Sequence, residues 1–216
     1  VKPPPDDPRP PGSRALQAAL ATGPALHQHV VRERLAQARE SVLIATANVK
    51  AMLVELEGVW RPVVDLFARL ARQGVEVRLL HAELPSRPFR AAFDRQQGLV
   101  AGGMTLKQCP RVHFKAVLVD GAWLYLGSAN LTGAGLGAKH ADARNFELGV
   151  LTEDFDTIDR VTALFEAVWS GAECRTCRLY DLCPDPIGPR PKRLRARRRA
   201  TSGVQLGKSR RLPRGR

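Results

Sequence analysis

The sequence predicts an α/β fold, an α/β/α sandwich built on a mixed central sheet. Three observations carry this expectation. Short apolar runs alternate with amphipathic helical stretches, a strand–helix–strand unit occupies the first half, and an Asp-Gly turn between two apolar runs marks a hairpin in the second.

Residues 1–13 are proline-rich and charged and read as a disordered leader. Alanine, leucine and charged residues dominate 14–39 and break at Gly23-Pro24, predicting one short helix and then a longer one. In the second, Leu26, Val30, Leu35 and Ala38 approximate one face. The apolar run 41–48 reads as a buried strand. Over 61–73, Val64, Phe67, Leu70 and Ala71 form a helical stripe that stops at Gly74, and a strand follows over 75–80. That order predicts a crossover helix packed on parallel strands. A helix over 88–97 leads to a flexible stretch from Gly98 to Gly103.

Residues 112–119 read as a strand that turns at Asp120-Gly121 and pairs back over 122–126. A further strand is expected over 145–152. Ile158, Val161, Leu164, Phe165 and Val168 then recur every three or four residues, predicting an amphipathic helix over 155–169. The expected organisation is a catalytic domain over 14–170, a cysteine-bearing segment over 171–187 packed on it, and a basic disordered tail over 188–216.

Composition bounds the partners. The apolar fraction of 44% and charged fraction of 25% are those of a globular domain. The formal charge of +13 is localised: residues 188–216 hold twelve Lys or Arg and no acid, leaving 22 basic against 21 acidic side chains before them. Such a tail attracts phosphate backbones or an anionic membrane surface and has too little apolar content to order itself. No run of some twenty apolar residues predicts a transmembrane span, and 1–11 lacks the apolar stretch of a secretory signal. A cytoplasmic location is expected, with cysteines reduced or metal-bound.

The chemistry-bearing residues begin at His113-Phe114-Lys115. On a strand, positions i and i+2 share a face, so imidazole and ammonium point together and Phe114 enters the opposite layer. Such a pair supplies a nucleophile and an anion clamp. Gly127-Ser128-Ala129-Asn130 ends the paired strand, its small residues letting a phosphate approach the backbone and its polar residues offering donors. Asn145 and Glu147 share a face of the next strand, and a carboxylate near His113 would fix the imidazole tautomer.

The run His113-x-Lys115-x4-Asp120-x6-Gly127-Ser128-x-Asn130, followed by Asn145-Phe146-Glu147, closely resembles the phospholipase D superfamily, specifically members with a single histidine–lysine–aspartate motif. The resemblance covers about 130 residues, with Ser41 to Trp169 following the element order of that fold. It implies a metal-independent phosphodiesterase in which His113 attacks phosphorus to form a phosphohistidine. Lys115 and Asn130 would hold the nonbridging oxygens, Ser128 would assist, and Glu147 would orient the histidine. Asp120, in a tight turn, would order the motif.

The family reaction uses two histidines, and this sequence carries one His-x-Lys: His27, His29, His81 and His140 all lack the lysine. A homodimer that brings two copies of His113 across a twofold axis is therefore expected.

Cys174-x2-Cys177-x5-Cys183, with Cys109 upstream, makes four thiols able to complete a zinc site or hold a [4Fe–4S] cluster. The run also resembles the C-terminal cysteine pattern of iron–sulfur nuclease families. A structural zinc ion or [4Fe–4S] cluster is the expectation.

The tail favours an endonuclease acting on DNA or RNA, with Arg87, Arg90, Arg95 and Lys107 as candidate contacts to the backbone. A phospholipase or phosphatidyltransferase acting on anionic lipid is the alternative enzyme. The Gly-Ser-Ala-Asn-Leu-Thr-Gly run also resembles accessory phospholipase D-like proteins of anti-phage defence, which supports a third reading as a non-catalytic nucleic-acid-binding protein.

Overall fold

The computed structural model describes residues 15–136 and 138–189, so the expected leader and nearly all of the expected tail lie outside the described residues. Seven strands form one mixed sheet: β1 (Ala19–Thr22), β2 (Ser41–Thr46), β5 (Glu76–His81), β6 (Thr105–Gln108), β7 (Lys115–Val119), β8 (Trp123–Gly127) and β9 (Leu148–Thr152). They lie in the order β1-β9-β8-β7-β2-β5-β6, with β2, β5 and β6 parallel and the remaining pairs antiparallel. The central strand β2 is apolar along its length because both of its faces are covered.

Helices cover the two faces unequally. On one face pack α1 (Pro24–Leu26), its wider continuation (His27–Arg34), α2 (Val63–Arg72) and α3 (Arg87–Asp94), burying Leu26, Val30, Phe67, Leu70 and Phe89 against Ile44, Leu79 and Val117. On the other face α4 (Phe155–Trp169) buries Ile158 and Phe165 against Leu43, Leu80, Leu118 and Leu124. Each large apolar side chain so buried contributes about 1.5–3 kcal/mol. The Asp154 carboxylate caps the start of α4 by accepting from the Thr157 N–H at 2.9 Å. Near the other end of α4, Arg78 lies 5.6 Å from the Phe165 ring and 5.4 Å from the Trp169 ring, fixing the helix over β5.

The expected crossover is present, since β2 and β5 are parallel with α2 between them. The Asp120-Gly121 hairpin also forms, both residues having positive φ (54° and 59°). Three elements depart from expectation. The alanine-rich stretch before Gly23 is not a helix but edge strand β1, because pairing with β9 overrides its helical propensity. A hairpin of β3 (Leu53–Leu56) and β4 (Val59–Pro62) precedes α2, turning through Glu57 and Gly58 at φ 53° and 78°. Strand β6 adds a parallel edge after the glycine-rich stretch. Among the described residues, no helix is long and apolar enough to cross a membrane.

Candidate active site

Register places the motif at one end of the sheet. Lys115 on β7 pairs with Gly127 on β8, which pairs with Gly149 on β9, so three adjacent strands share one row. His113 lies two residues before that row, Ser128 one residue after it, and Glu147 two residues before Gly149. The Ser128 N–H donates to the Leu148 carbonyl at 3.0 Å, carrying the pairing one step beyond the strands. At about 4.8 Å between strands, the row spans some 10 Å of backbone, within reach of long side chains from either margin. His113 and Ser128 are exposed, while Lys115, Asn130 and Glu147 are half-buried.

The polar side chains are held by one another and by the backbone. Glu147 accepts from the Ser128 hydroxyl through one carboxylate oxygen and from Asn145 Nδ2, at 3.1 Å, through the other. Ser128 Oγ in turn accepts from the Leu148 N–H at 3.1 Å. The Lys115 ammonium donates to the His113 carbonyl at 2.8 Å and so stays beside the imidazole-bearing residue.

Asn130 is the most constrained member. Its Oδ1 accepts from the Thr46 hydroxyl (3.1 Å), the Ala47 N–H (3.1 Å) and the Asn48 N–H (3.2 Å), all at the end of β2. With the oxygen occupied, the amide nitrogen is the end left to meet an anion.

Support from below comes from Tyr125, which is 1% exposed and whose phenol oxygen accepts the Ala129 N–H at 3.0 Å. Burial pushes its hydroxyl up to about 12, with Glu147 adding to the rise. The ring lies against Gly127 and Gly149: a Cβ on Gly149 would sit 2.3 Å from Tyr125 Cε2, and one on Gly127 would sit 2.6 Å from the phenol oxygen. These glycines are small to admit the tyrosine beneath the site, a reason different from the phosphate approach expected at Gly127. Thr46 and Tyr125 carry no motif signal; the spacing of Gly127 and Gly149 around a strand tyrosine marks Tyr125 alone.

Other candidates lie elsewhere. Asp120 is at the opposite end of β7, where its carboxylate accepts the backbone N–H groups of Arg39, Glu40 and Ser41 at 2.8–3.1 Å. Lys107 donates to the Trp169 carbonyl and lies 5.0 Å from that indole, tethering β6 to α4. Arg87, Arg90 and Arg95 are exposed on or beside α3, with Arg90 Nε donating to the Pro85 carbonyl at 3.0 Å. A large surface cavity of about 1030 Å³ lies at the far end of the sheet, lined by Arg34, Trp123 and Glu153 among others.

The expectation of a structural zinc or iron–sulfur site is overturned. Among the described residues, no group of three or more His, Cys, Asp or Glu side chains is arranged to hold a metal ion. Cys109, Cys174, Cys177 and Cys183 are all free thiols that line one cavity. Two lie beside other partners: Cys177 is next to the Arg111 guanidinium, and Cys183 Sγ lies 4.0 Å from the Gln108 carbonyl.

A sequence family described as "Cardiolipin synthase, PLD-like domain" matches residues 31–169, which run from within the helix His27–Arg34 to the end of α4. The chain belongs to this phospholipase D-like family. Among solved structures it is similar to Nuc from Salmonella typhimurium, a phospholipase D family member, at 18% identity and a TM-score of 0.52, covering 71% of this chain and 95% of that one. It is also similar to NucT from Helicobacter pylori, at 15% identity, a TM-score of 0.49, and coverage of 69% and 93%. A third similarity is to TrmBL2, an archaeal chromatin protein, at 15% identity and a TM-score of 0.49; 71% of this chain is covered but only about half, 52%, of the archaeal one. No curated protein sequence matches the chain.

Proposed function

We propose that this protein is a phosphodiesterase that cleaves nucleic acid through a phosphohistidine, with one His113 contributed by each subunit of a homodimer. The observation that carries the reading is the single row Lys115–Gly127–Gly149, which supports bringing His113, Lys115, Ser128, Asn130 and Glu147 to one end of the sheet. In the proposed reaction a ring nitrogen of His113 attacks phosphorus. The bond to the leaving oxygen breaks, and that oxygen takes a proton from the protonated His113 of the partner subunit. Water, deprotonated by the now neutral partner imidazole, then attacks phosphorus and releases His113.

Lys115 Nζ and Asn130 Nδ2 would bind the nonbridging oxygens as their charge develops. Lys115 needs only side-chain rotation to leave the His113 carbonyl for a phosphate. Glu147, held by Ser128 and Asn145, would orient the imidazole.

The dimer is supported by the lone His-x-Lys and by an uncovered apolar margin next to the site. Phe146, two residues before β9, Leu148, its first residue, and Leu20, on the adjoining edge strand, are 108%, 56% and 70% exposed. The polymer preference is supported by the basic residues that follow residue 188. Residues 14–170 would form the catalytic unit.

The test is cleavage of labelled single- and double-stranded DNA and RNA, with chelator and without, beside the His113→Ala variant and vesicles of anionic phospholipid. Cleavage of a polymer that survives chelator and is lost in the variant supports the reading. Turnover of lipid alone would move the substrate to the membrane, and binding without cleavage would leave an accessory nucleic-acid-binding protein.

A further inference from the structure

The cysteines converge on a feature that the phosphodiester chemistry does not use. A cavity of about 350 Å³ lies between α4, residues 109–114 and the segment after α4, and all four thiols line it together with Phe114 and Val168. Each thiol is half-buried, so a small solute can reach it. We propose that this cavity is a thiol-oxidation site in which hydrogen peroxide joins Cys174 to Cys177 as a disulfide.

The turn carrying the two residues has suitable geometry. Cys174–Thr176 is a 3-10 turn, and the Cys177 N–H donates to the Cys174 carbonyl at 3.1 Å. An i to i+3 bond of this kind holds the two Cα atoms within about 7 Å. A disulfide spans about 4.4–6.8 Å between Cα atoms. The link therefore closes within one turn, with no movement of the sheet.

The environment also tells the thiols apart. The Arg111 guanidinium lies beside Cys177, where its charge stabilises the hydroxide that departs when this sulfur attacks peroxide. The contact holds the Arg111 guanidinium above its ordinary range, with Cys177 as the first cause and Cys109 adding to it. Cys183 is in the reverse situation: burial pushes its thiol up, and its sulfur faces the Gln108 carbonyl. Cys177 is accordingly the attacking sulfur and Cys174, three residues earlier on the same turn, the resolving one.

The step balances. The Cys177 sulfur, giving up its proton, attacks one peroxide oxygen, the O–O bond breaks, and the departing hydroxide takes up that proton to become water, leaving a sulfenic acid. The Cys174 thiol then attacks that sulfur, the S–O bond breaks, and a second water departs with the thiol proton. Two thiols lose two electrons and two protons, and one peroxide becomes two waters. Oxidation also changes the sulfur beside Arg111, two residues before His113. The proposal stands whether or not the protein cleaves phosphodiesters.

The test treats the full-length reduced protein with hydrogen peroxide and counts thiols after denaturation, followed by tryptic mapping. Trypsin cuts after Arg175, so Cys174 and Cys177 fall on separate peptides unless a disulfide joins them. The expected result is loss of two thiols of the four, one linked pair of peptides bearing Cys174 and Cys177, and recovery of both thiols with dithiothreitol. Arg111→Gln, an exposed position, should slow the loss about tenfold, whereas Cys109→Ser should leave it unchanged. Four thiols surviving peroxide, a link involving Cys109 or Cys183, a link between subunits, release of a metal ion as the thiols react, or an unchanged rate in Arg111→Gln would each overturn the proposal.

Discussion

The Thr46 hydroxyl lies 3.1 Å from Asn130 Oδ1, and the same hydroxyl oxygen accepts the Leu131 N–H at 3.1 Å. One buried side chain on β2 thus fixes both the amide orientation and the backbone of the loop that follows β8. Thr46→Val keeps the shape and removes the hydroxyl, leaving the Leu131 N–H without its acceptor. The expected cost is about 1–3 kcal/mol by urea denaturation. Cleavage should also fall, by up to about tenfold, as the amide oxygen loses one of its three donors. Thr46→Ser should restore most of both; a valine variant with full activity would show that the amide needs no such anchor.

Tyr125 makes a second prediction, at alkaline pH. Its hydroxyl is raised to about 12 in the folded protein by burial, against about 10 for an exposed phenol. Between these values the folded state holds a proton that the unfolded state has lost. Stability contributed by the neutral phenol is complete below pH ~10 and declines as pH rises toward 12. Denaturation midpoints measured from pH 8 to 11 should fall less steeply in Tyr125→Phe. The phenylalanine variant should start lower, since the buried Ala129 N–H then lacks its acceptor. Gly149→Ala should act on the same ring, costing about 1–3 kcal/mol by overpacking.

Asp120 separates scaffold from chemistry. Its carboxylate collects three successive backbone N–H groups at the start of β2, at the opposite end of β7 from Lys115. Asp120→Ala should cost about 1–3 kcal/mol or more of stability, while cleavage per folded molecule stays within about twofold of the parent protein. His113→Ala should behave in the opposite way, abolishing cleavage with little change in the denaturation midpoint, because His113 is exposed. Thermal melts run beside single-turnover assays would reveal either pattern; an Asp120 variant that folds fully but is inactive would place that carboxylate in the reaction.

The contrast between these residues explains what the sequence makes legible. The motif residues are readable through hairpin register, although β7 and β9 begin only at Lys115 and Leu148, so His113, Asn145 and Glu147 precede the strands expected to carry them; the amphipathic stripe of α4 is unambiguous over fifteen residues. Strand β1 is not readable, because Ala19 and Leu20 favour a helix locally and extend only through the β9 edge. Thr46 and Tyr125 are equally hidden: a threonine ending an apolar strand and a tyrosine within one look like ordinary core residues until the partner strand supplies Asn130 and Gly149. The cysteine spacing misleads in the other direction, since it suggests a metal cage while the described thiols line a cavity wall.

A final prediction concerns mild acid. His27 is 6% exposed, stacks on Trp60 at 5.5 Å between ring centroids, and has neither ring nitrogen hydrogen-bonded. Burial, then the charge of Arg32, holds its pKa below the usual histidine value, with Glu55 opposing and Arg144 adding to the decrease. The folded state therefore binds its proton less readily than the unfolded chain. Stability from the neutral ring is fully present above pH ~6.5 and is lost as pH falls below that value toward the folded pKa. His81, buried and lowered chiefly by desolvation, acts in the same direction. His27→Phe keeps a flat ring against Trp60 and removes the proton acceptor. Urea midpoints for the parent protein should drop between pH 7.5 and 5.5, and the drop should shrink in His27→Phe and shrink further when His81→Gln is added. Parallel pH profiles for parent and His27→Phe would mean that the ring is reached by water before the fold opens.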